Sequence, residues 1–255
     1  MALVGLGLTA LASAFATEGY GVIFGAVATG LGVTLSVTLT AFVFALLLGL
    51  GLALLRVSPW RWAREVATFY IELVRGLPML VVLYYIAFVG VPALASGLNV
   101  LFAPLIGAGW MGPFQSRDFD FATRAVLALT LGYGAFLAEI FRAGIESVDQ
   151  GQVEAAQALG MSRSQSMVHV ILPQALKNVL PALANEFIAM VKDSALVSVL
   201  GVQDITQMGK VYSASTFKFF ETYNVVAFFY LCLTVSLSLL VKQLERKWKR
   251  PTSPS

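Results

Sequence analysis

Apolar residues fill this chain in long blocks, and its polar residues gather between them. The first block runs from about Val22 to Leu55. It exceeds the ~20 residues that cross a bilayer, so it predicts a tilted or extended spanning helix. Its glycines (Gly25, Gly30, Gly32, Gly49, Gly51) let neighbouring helices approach closely in lipid. The segments Val66–Val74 and Met79–Val91 predict a second span, bent near Gly76 and Pro78. Residues 92–120 hold Pro92, Pro104, Gly107, Gly109, Gly112 and Pro113 around an apolar middle, Val100–Ile106. They predict a long outer connection with a re-entrant or interfacial piece, where Trp110 and Phe114 suit the membrane surface. A third span is expected at about Ala122–Ile145 and a fourth from Ala175 to about Val202. A polar linker, Gln203–Tyr223, and a last span, Asn224–Val241, follow. The fold class is an all-α polytopic membrane protein with five transmembrane helices.

Charge orients it. Arg56, Arg61, Arg64, Arg142, Arg163, Lys177 and the tail cations Lys242, Arg246, Lys247, Lys249 and Arg250 fall on one side. Arg117, Lys210 and Lys218 fall on the other. The excess of Lys and Arg marks the cytoplasmic side. The N-terminus is therefore expected outside and the C-terminus inside. Residues 1–21 form an outer lead, which resembles a signal-peptide core but lacks the positive region at its start. Residues 246–255 form a cytoplasmic tail.

Composition agrees with this pattern. The chain has 255 residues, 58% hydrophobic and 12% charged, about half the charged share of a soluble domain. The lone Cys232 and lone His169 exclude a disulfide within the chain and a thiolate or histidine metal cluster. No metal site is expected.

One polar, small-residue stretch between the third and fourth spans stands apart: Glu154–Pro173. Glu154 lies near the start of a short helix, where the helix dipole favours negative charge. Gly160 sits where a left-handed cap belongs. Ser162 and Gln165 match a capping box that opens a second helix, which Pro173 ends or bends. A DNA-binding helix-turn-helix needs phosphate-binding cations and base-reading side chains, and the second helix offers only Arg163 and His169. A mere connection does not need two capped helices. The stretch reads as a docking knob with an apolar face of Ala155, Ala158, Leu159 and Met161 for a partner's groove.

Glu154-Ala155-Ala156, Leu159-Gly160 and Leu172-Pro173 resemble the EAA loop of ABC importer permeases. Arg75-Gly76-Leu77-Pro78 is similar to the Arg-Gly-Thr-Pro segment of the polar amino-acid permeases, with leucine for threonine. Glu139–Ile145, Val170–Ala175 and Lys192–Leu196 resemble further segments of that family, with Ser194 where threonine is commoner. The resemblance implies the type I ABC importer permease fold over residues 22–245, with a cytoplasmic coupling loop at about 146–175. It implies that Glu154, Ala155, Ala156, Ala158, Leu159, Gly160, Met161 and Ser162 dock on a separate ATPase. The implied partners are two ATPase subunits, a second permease copy or relative, and a periplasmic or surface amino-acid-binding protein, in a bacterial inner membrane. ATP and Mg would sit on the ATPase. This chain has no Gly-x-x-x-x-Gly-Lys-Ser/Thr loop, holds no cofactor of its own and is not expected to be an enzyme. Nucleic acid is not an expected partner.

The fourth span is interrupted by Asn185, Glu186, Lys192, Asp193 and Ser194. A charge at a helix centre costs ~2.5–3.5 kcal/mol on insertion scales, so such residues face a cavity or a partner. Two readings stand. In one, carboxylates hold an amino acid's ammonium and Lys192 its carboxylate. In the other, the charges form a structural pair. Tyr133 and Glu139 on the third span are further path candidates. Glu72 and Arg75, three apart, suit an ion pair or a gate at the Gly76–Pro78 bend. A hydrolase reading finds no metal cluster, nucleophile elbow or histidine base beside Asp193 and Ser194. The alternative of another class, an ion-coupled secondary transporter, often shows inverted repeats, and none is evident.

Overall fold

The computed structural model describes residues 19–248, and every regular element among them is helical. The expected lead up to residue 18 and the tail from residue 249 lie outside the described residues. We number the α-helices in chain order: α1 (Tyr20–Ala28), α2 (Leu31–Arg56), α3 (Arg61–Arg75), α4 (Met79–Tyr85), α5 (Val91–Leu101), α6 (Ala103–Gly107), α7 (Phe121–Glu146), α8 (Gln150–Ala158), α9 (Arg163–Ser166), α10 (Leu172–Asp193), α11 (Ile205–Thr216) and α12 (Phe219–Trp248). Four segments are long and apolar enough to cross a membrane: Tyr20–Arg56, Met79–Leu101, Phe121–Glu146 and Phe219–Leu244. Helix α10 is 22 residues long. Its polar side chains, from Gln174 to Asp193, keep it out of that group.

Small residues set the central packing. Thr130 Oγ1 donates to the Ala41 carbonyl at 3.4 Å, and Gly49 lies against Leu137 and Gly134. The two contacts advance together along both chains, so α2 and α7 run parallel. A Cβ on Gly49 would come 2.8 Å from the Leu137 Cβ, and one on Gly134 would come 2.6 Å from a Leu48 methyl. At Gly49 the added Cβ would also meet the Ala138 N and Gly134 carbonyl, so only glycine permits this backbone approach. Ala41, Ala45, Ala53, Ala128 and Ala138 are fully buried in and around the same seam.

The flanking helices run the other way. Gly132 meets Met79, while Arg124 Nη1 donates to the Ala87 carbonyl at 3.0 Å. That pairing makes α4–α5 antiparallel to α7. Asn178 Nδ2 donates to Ser147 Oγ at 3.0 Å at one end of α10, and Tyr133 meets Asp193 at the other. Helix α10 is therefore antiparallel to α7 too.

A second core gathers Ile23, Val27, Ile205, Val225 and Val226 from α1, α11 and α12. Gly30 packs directly on the Asp204–Ile205 backbone. Thr34 Oγ1 accepts from the Ile205 N–H at 3.1 Å. The buried Asp204 caps α11 through the Gln207 N–H at 2.8 Å and accepts from the Tyr230 hydroxyl at 3.1 Å.

Five expectations need correction or narrowing. The second span is not one bent helix: α3 and α4 are separate, and Gly76-Leu77-Pro78 is a non-helical break between them. Helix α3 has the character of a surface helix, with five charged residues among its fifteen. The span that follows does not stop near Val91 but continues to Leu101 through Pro92. The apolar middle at 100–106 is split between the end of α5 and the short α6. Of the two outcomes expected at Pro173, an end or a bend, the end is excluded, because the helical run continues through it.

One device explains both prolines. A π turn, Ile86–Gly90, ends two residues before Pro92, and another, Met167–Ile171, ends two residues before Pro173. The widened turn relieves the clash between the proline ring and the carbonyl four residues back. Lastly, the polar linker expected at 203–223 contains a twelve-residue helix, α11, which buries Ile205, Gly209 and Ser213.

The connection between α5 and α7 is ordered by side chains. Asn99 bonds the Phe114 backbone in both directions, at 2.8 and 2.7 Å. Arg124 reaches the carbonyls of Ser116 at 2.5 Å and Phe119 at 2.9 Å and stacks over the Phe121 ring.

Candidate coupling loop and translocation site

The polar stretch forms the expected capped pair. Helix α8 ends at Gly160 with φ +77°. Gly160 N–H bonds the Gln157 carbonyl at 2.9 Å, and Met161 N–H reaches back to Ala156 at 3.1 Å. This is the glycine-capped Schellman arrangement. The Ser162 N–H donates to Gln165 Oε1 at 2.8 Å, and the Gln165 N–H donates to Ser162 Oγ at 3.3 Å, closing the capping box.

Ala156 is buried, whereas Glu154, Ala155, Ala158 and Leu159 are exposed, Leu159 at 82%. Met161 is half-buried and Ser162 exposed. Beneath the pair, Val153 and Met167 pack on a small core of Ile145, Val148, Ile171 and Ala175, joined by Leu54 and Val57 at the end of α2. The pair is thus seated on the ends of α2, α7 and α10. Its outer surface, rich in small and apolar residues, stays uncovered. Helix α9, the π turn and α10 form one unbroken helical run from Arg163 to Asp193.

The polar interruption of α10 faces α7 at one point. Tyr133 donates its hydroxyl to Asp193 Oδ2 at 2.8 Å. Glu186 and Asp193 are half-buried, Asn185 and Lys192 are exposed, and Met190 between them is fully buried. Ser194 is fully buried, and its hydroxyl donates to the Val191 carbonyl at 2.7 Å. Of the path candidates, Tyr133 and Asp193 are in direct contact. Glu139 bonds elsewhere.

Glu139 is held by Arg56 from the end of α2 and by Arg142 three residues along α7. Arg142 also pairs with Glu146, and Arg56 reaches Glu72 on α3 at 3.4 Å. The expected Glu72–Arg75 pair is therefore replaced: Glu72 turns to Arg56, and Arg75 lies over the Phe136 ring, 5.8 Å from its centre. The physical reason is the geometry of three helix ends meeting, which puts a carboxylate and a guanidinium from different helices closer than neighbours on α3. Sequence reading missed Arg56 as the hub. Its one local sign was a cation ending an apolar run. Gly76 closes α3 through the Glu72 carbonyl at 3.0 Å, and the Pro78 carbonyl opens α4 by accepting from Val81 at 2.9 Å.

Comparison with known proteins follows the same lines. Residues 45–250 match a family described as binding-protein-dependent transport system inner membrane component. The chain is 37% identical over 187 residues to the probable amino-acid permease protein YxeN of Bacillus subtilis, covering 73% of this chain and 75% of that one. It is also 37% identical over 187 residues to the glutamine transport system permease protein GlnP of Escherichia coli, covering 73% and 76%. Among solved structures, a crystal structure of an amino acid ABC transporter with histidines is 39% identical, with a TM-score of 0.72 over 89% of this chain and 95% of that one. An inward-facing structure of the MetNI methionine ABC transporter shares the fold at 19% identity, with a TM-score of 0.68 over 88% and 97%. The chain belongs to the family of inner membrane components of binding-protein-dependent transport systems.

Proposed function

We propose that this chain lines the translocation path of an ATP-driven amino-acid importer in a bacterial inner membrane, and that a separate ATPase drives it through Glu154–Pro173. The observation that carries the proposal is the capped helix pair around Gly160, bare on its outer surface and rigidly joined to α10. A loop held this firmly, with an exposed Leu159 beside small residues, is built to be gripped.

The five spans of this reading are Tyr20–Arg56, Met79–Leu101, Phe121–Glu146, α10 with the turn after it, and Phe219–Leu244. The N-terminus is outside and the C-terminus inside. Their alternating directions and the cation-rich end formed by Arg56, Arg61, Arg64 and Arg142 support that orientation. Two ATPase subunits, a second permease and an external binding protein complete the machine. One chain leaves its path half-lined, so the path closes at a two-fold axis.

ATP-driven closure of the ATPases moves the docked pairs, α10 follows, and the path opens to the other side. The amino acid is read on α10. Glu186 and Asp193 attract its ammonium, Tyr133 holds the Asp193 carboxylate in place, and the exposed Lys192 and Asn185 meet its carboxylate end. Desolvated charge of this kind, facing a path rather than lipid, is the form that intramembrane recognition takes.

The test uses the purified complex in proteoliposomes. Glu154→Ala and Gly160→Val are expected to insert and assemble but to hydrolyse ATP without matching uptake. Full coupled transport by both variants would end the docking proposal. Asp193→Asn and Glu186→Gln are expected to weaken substrate binding in the assembled complex. Unchanged affinity would make these residues structural.

A further inference from the structure

A cavity of about 490 Å³ lies behind the capped pair, on the side away from its exposed surface. Leu54, Val57 and Ser58 from the end of α2, Gln157 from α8, and Arg163 and Ser166 from the second helix help to line it. Its chemistry is graded. The floor is apolar and the rim carries one cation, Arg163, which is exposed and forms no ion pair among the described residues. No carboxylate lines it. Ser166 is 3% exposed, and its Oγ is the one buried side-chain polar atom among the described residues without a hydrogen-bond partner. A buried hydroxyl in a folded protein is normally paired, so Ser166 has an unused donor at the cavity.

We infer that this cavity binds the phosphate and glycerol region of an anionic phospholipid from the cytoplasmic leaflet. Arg163 would pair with the phosphate, and Ser166 would donate to an ester or phosphate oxygen. Leu54 and Val57 would carry the start of an acyl chain. An amino acid fits less well, because its ammonium finds no carboxylate in the lining. The location favours lipid over a dissolved anion. The cavity adjoins the end of the span Tyr20–Arg56. Immediately beyond it, exposed Trp60 and Trp62 stack with ring centres 6.2 Å apart, with exposed Arg61 between them and exposed Arg64 after them. Tryptophans interleaved with cations at the end of a span mark the headgroup level. A lipid seated here wedges α8 against the end of α2. That mechanical effect rests on the coupling role proposed above, while the binding itself does not.

The experiment takes the full chain in its transporter complex, in nanodiscs of phosphatidylethanolamine with or without phosphatidylglycerol. Native mass spectrometry reads the lipid retained after delipidation, a readout independent of transport. The wild type is expected to retain phosphatidylglycerol. Arg163→Gln and Ser166→Ala are each expected to retain it about tenfold less, the scale of one charge-assisted or buried hydrogen bond. Ser166→Leu, which fills the cavity, is expected to abolish retention, and the two smaller changes carry the test if it fails to assemble. Equal retention by wild type, Arg163→Gln and Ser166→Ala overturns the site. Displacement of the lipid by millimolar inorganic phosphate overturns the lipid as its ligand in favour of free anion. If the lipid is retained but ATPase and uptake stay equally coupled with and without it, the site stands and its wedge action falls.

Discussion

Tyr133 and Asp193, sixty positions apart, meet hydroxyl to carboxylate at 2.8 Å and join the middle of α7 to the end of α10. This bond ties the helix that packs most closely on α2 to the helix that runs on from the capped pair. Tyr133→Phe removes the donor and little volume. A hydrogen bond to a charged group contributes ~1.5–3 kcal/mol. Part of that returns through substrate contacts, so amino-acid affinity in the assembled complex is expected to fall about tenfold while assembly persists. Calorimetric titration checks it. An unchanged dissociation constant would place the bond outside the path.

The ion network at the other end of α7 is graded by exposure. Glu139 has 25% of its side chain exposed and is gripped from two sides, whereas Glu72 is 62% exposed and 3.4 Å from Arg56. Glu72→Gln is expected to cost no more than ~1 kcal/mol, the range of exposed pairs. Glu139→Gln leaves two half-buried guanidiniums facing each other and is expected to cost about 2 kcal/mol or more. Thermal unfolding of the detergent-solubilised chain, compared at low and high salt, separates the two. Equal losses would contradict the ranking.

Gly160 separates conformation from contact. At φ +77° any Cβ is strained, though nothing crowds the position. Gly160→Ala is expected to cost ~1 kcal/mol of loop stability, and Gly160→Asn, which tolerates the left-handed region, less. Coupling efficiency is expected to follow the same order, glycine above asparagine above alanine. Hydrogen exchange of the 154–166 amides gives the stability order independently of transport.

Asp120 gives a pH test outside the spans. Hydrogen bonds from the Thr123 side chain and backbone hold its carboxyl below the usual carboxylate range, and its Oδ1 caps α7 through the Thr123 N–H at 2.8 Å. A depressed folded value contributes stability above the unfolded value and loses it as pH falls through the folded one. Asp120→Ala is expected to cost ~1 kcal/mol at neutral pH. The gap to wild type should begin to narrow near pH ~3.9, the unfolded value, and close as pH falls through the lower folded one. A pH-independent gap would mean that the cap does not act through its charge.

Much of the loop was legible because its interactions are local. Gly160 as cap and Ser162 with Gln165 as box need only four or five consecutive residues, and each was placed correctly from sequence. Four spans were legible as apolar blocks, except that Pro92 suggested an end inside one of them, as Pro173 suggested an end or a bend in the polar stretch. Both prolines lie in helical runs just after a π turn, which no local sequence pattern announces.

What the sequence determined by itself is the set of apolar blocks, the asymmetry of cations between the loops and the capped pair between two spans. These follow from hydropathy and from bonds between near neighbours. Only the tertiary structure decided that Arg56 takes Glu139 and Glu72, that Tyr133 reaches Asp193, and that Ser166 is left without a partner behind the loop. The reason is that such pairings depend on the rotation and relative height of packed helices. Those are set by close contacts such as Gly49 on Leu137 and Gly134 on Leu48, between residues some ninety positions apart, which no local pattern encodes.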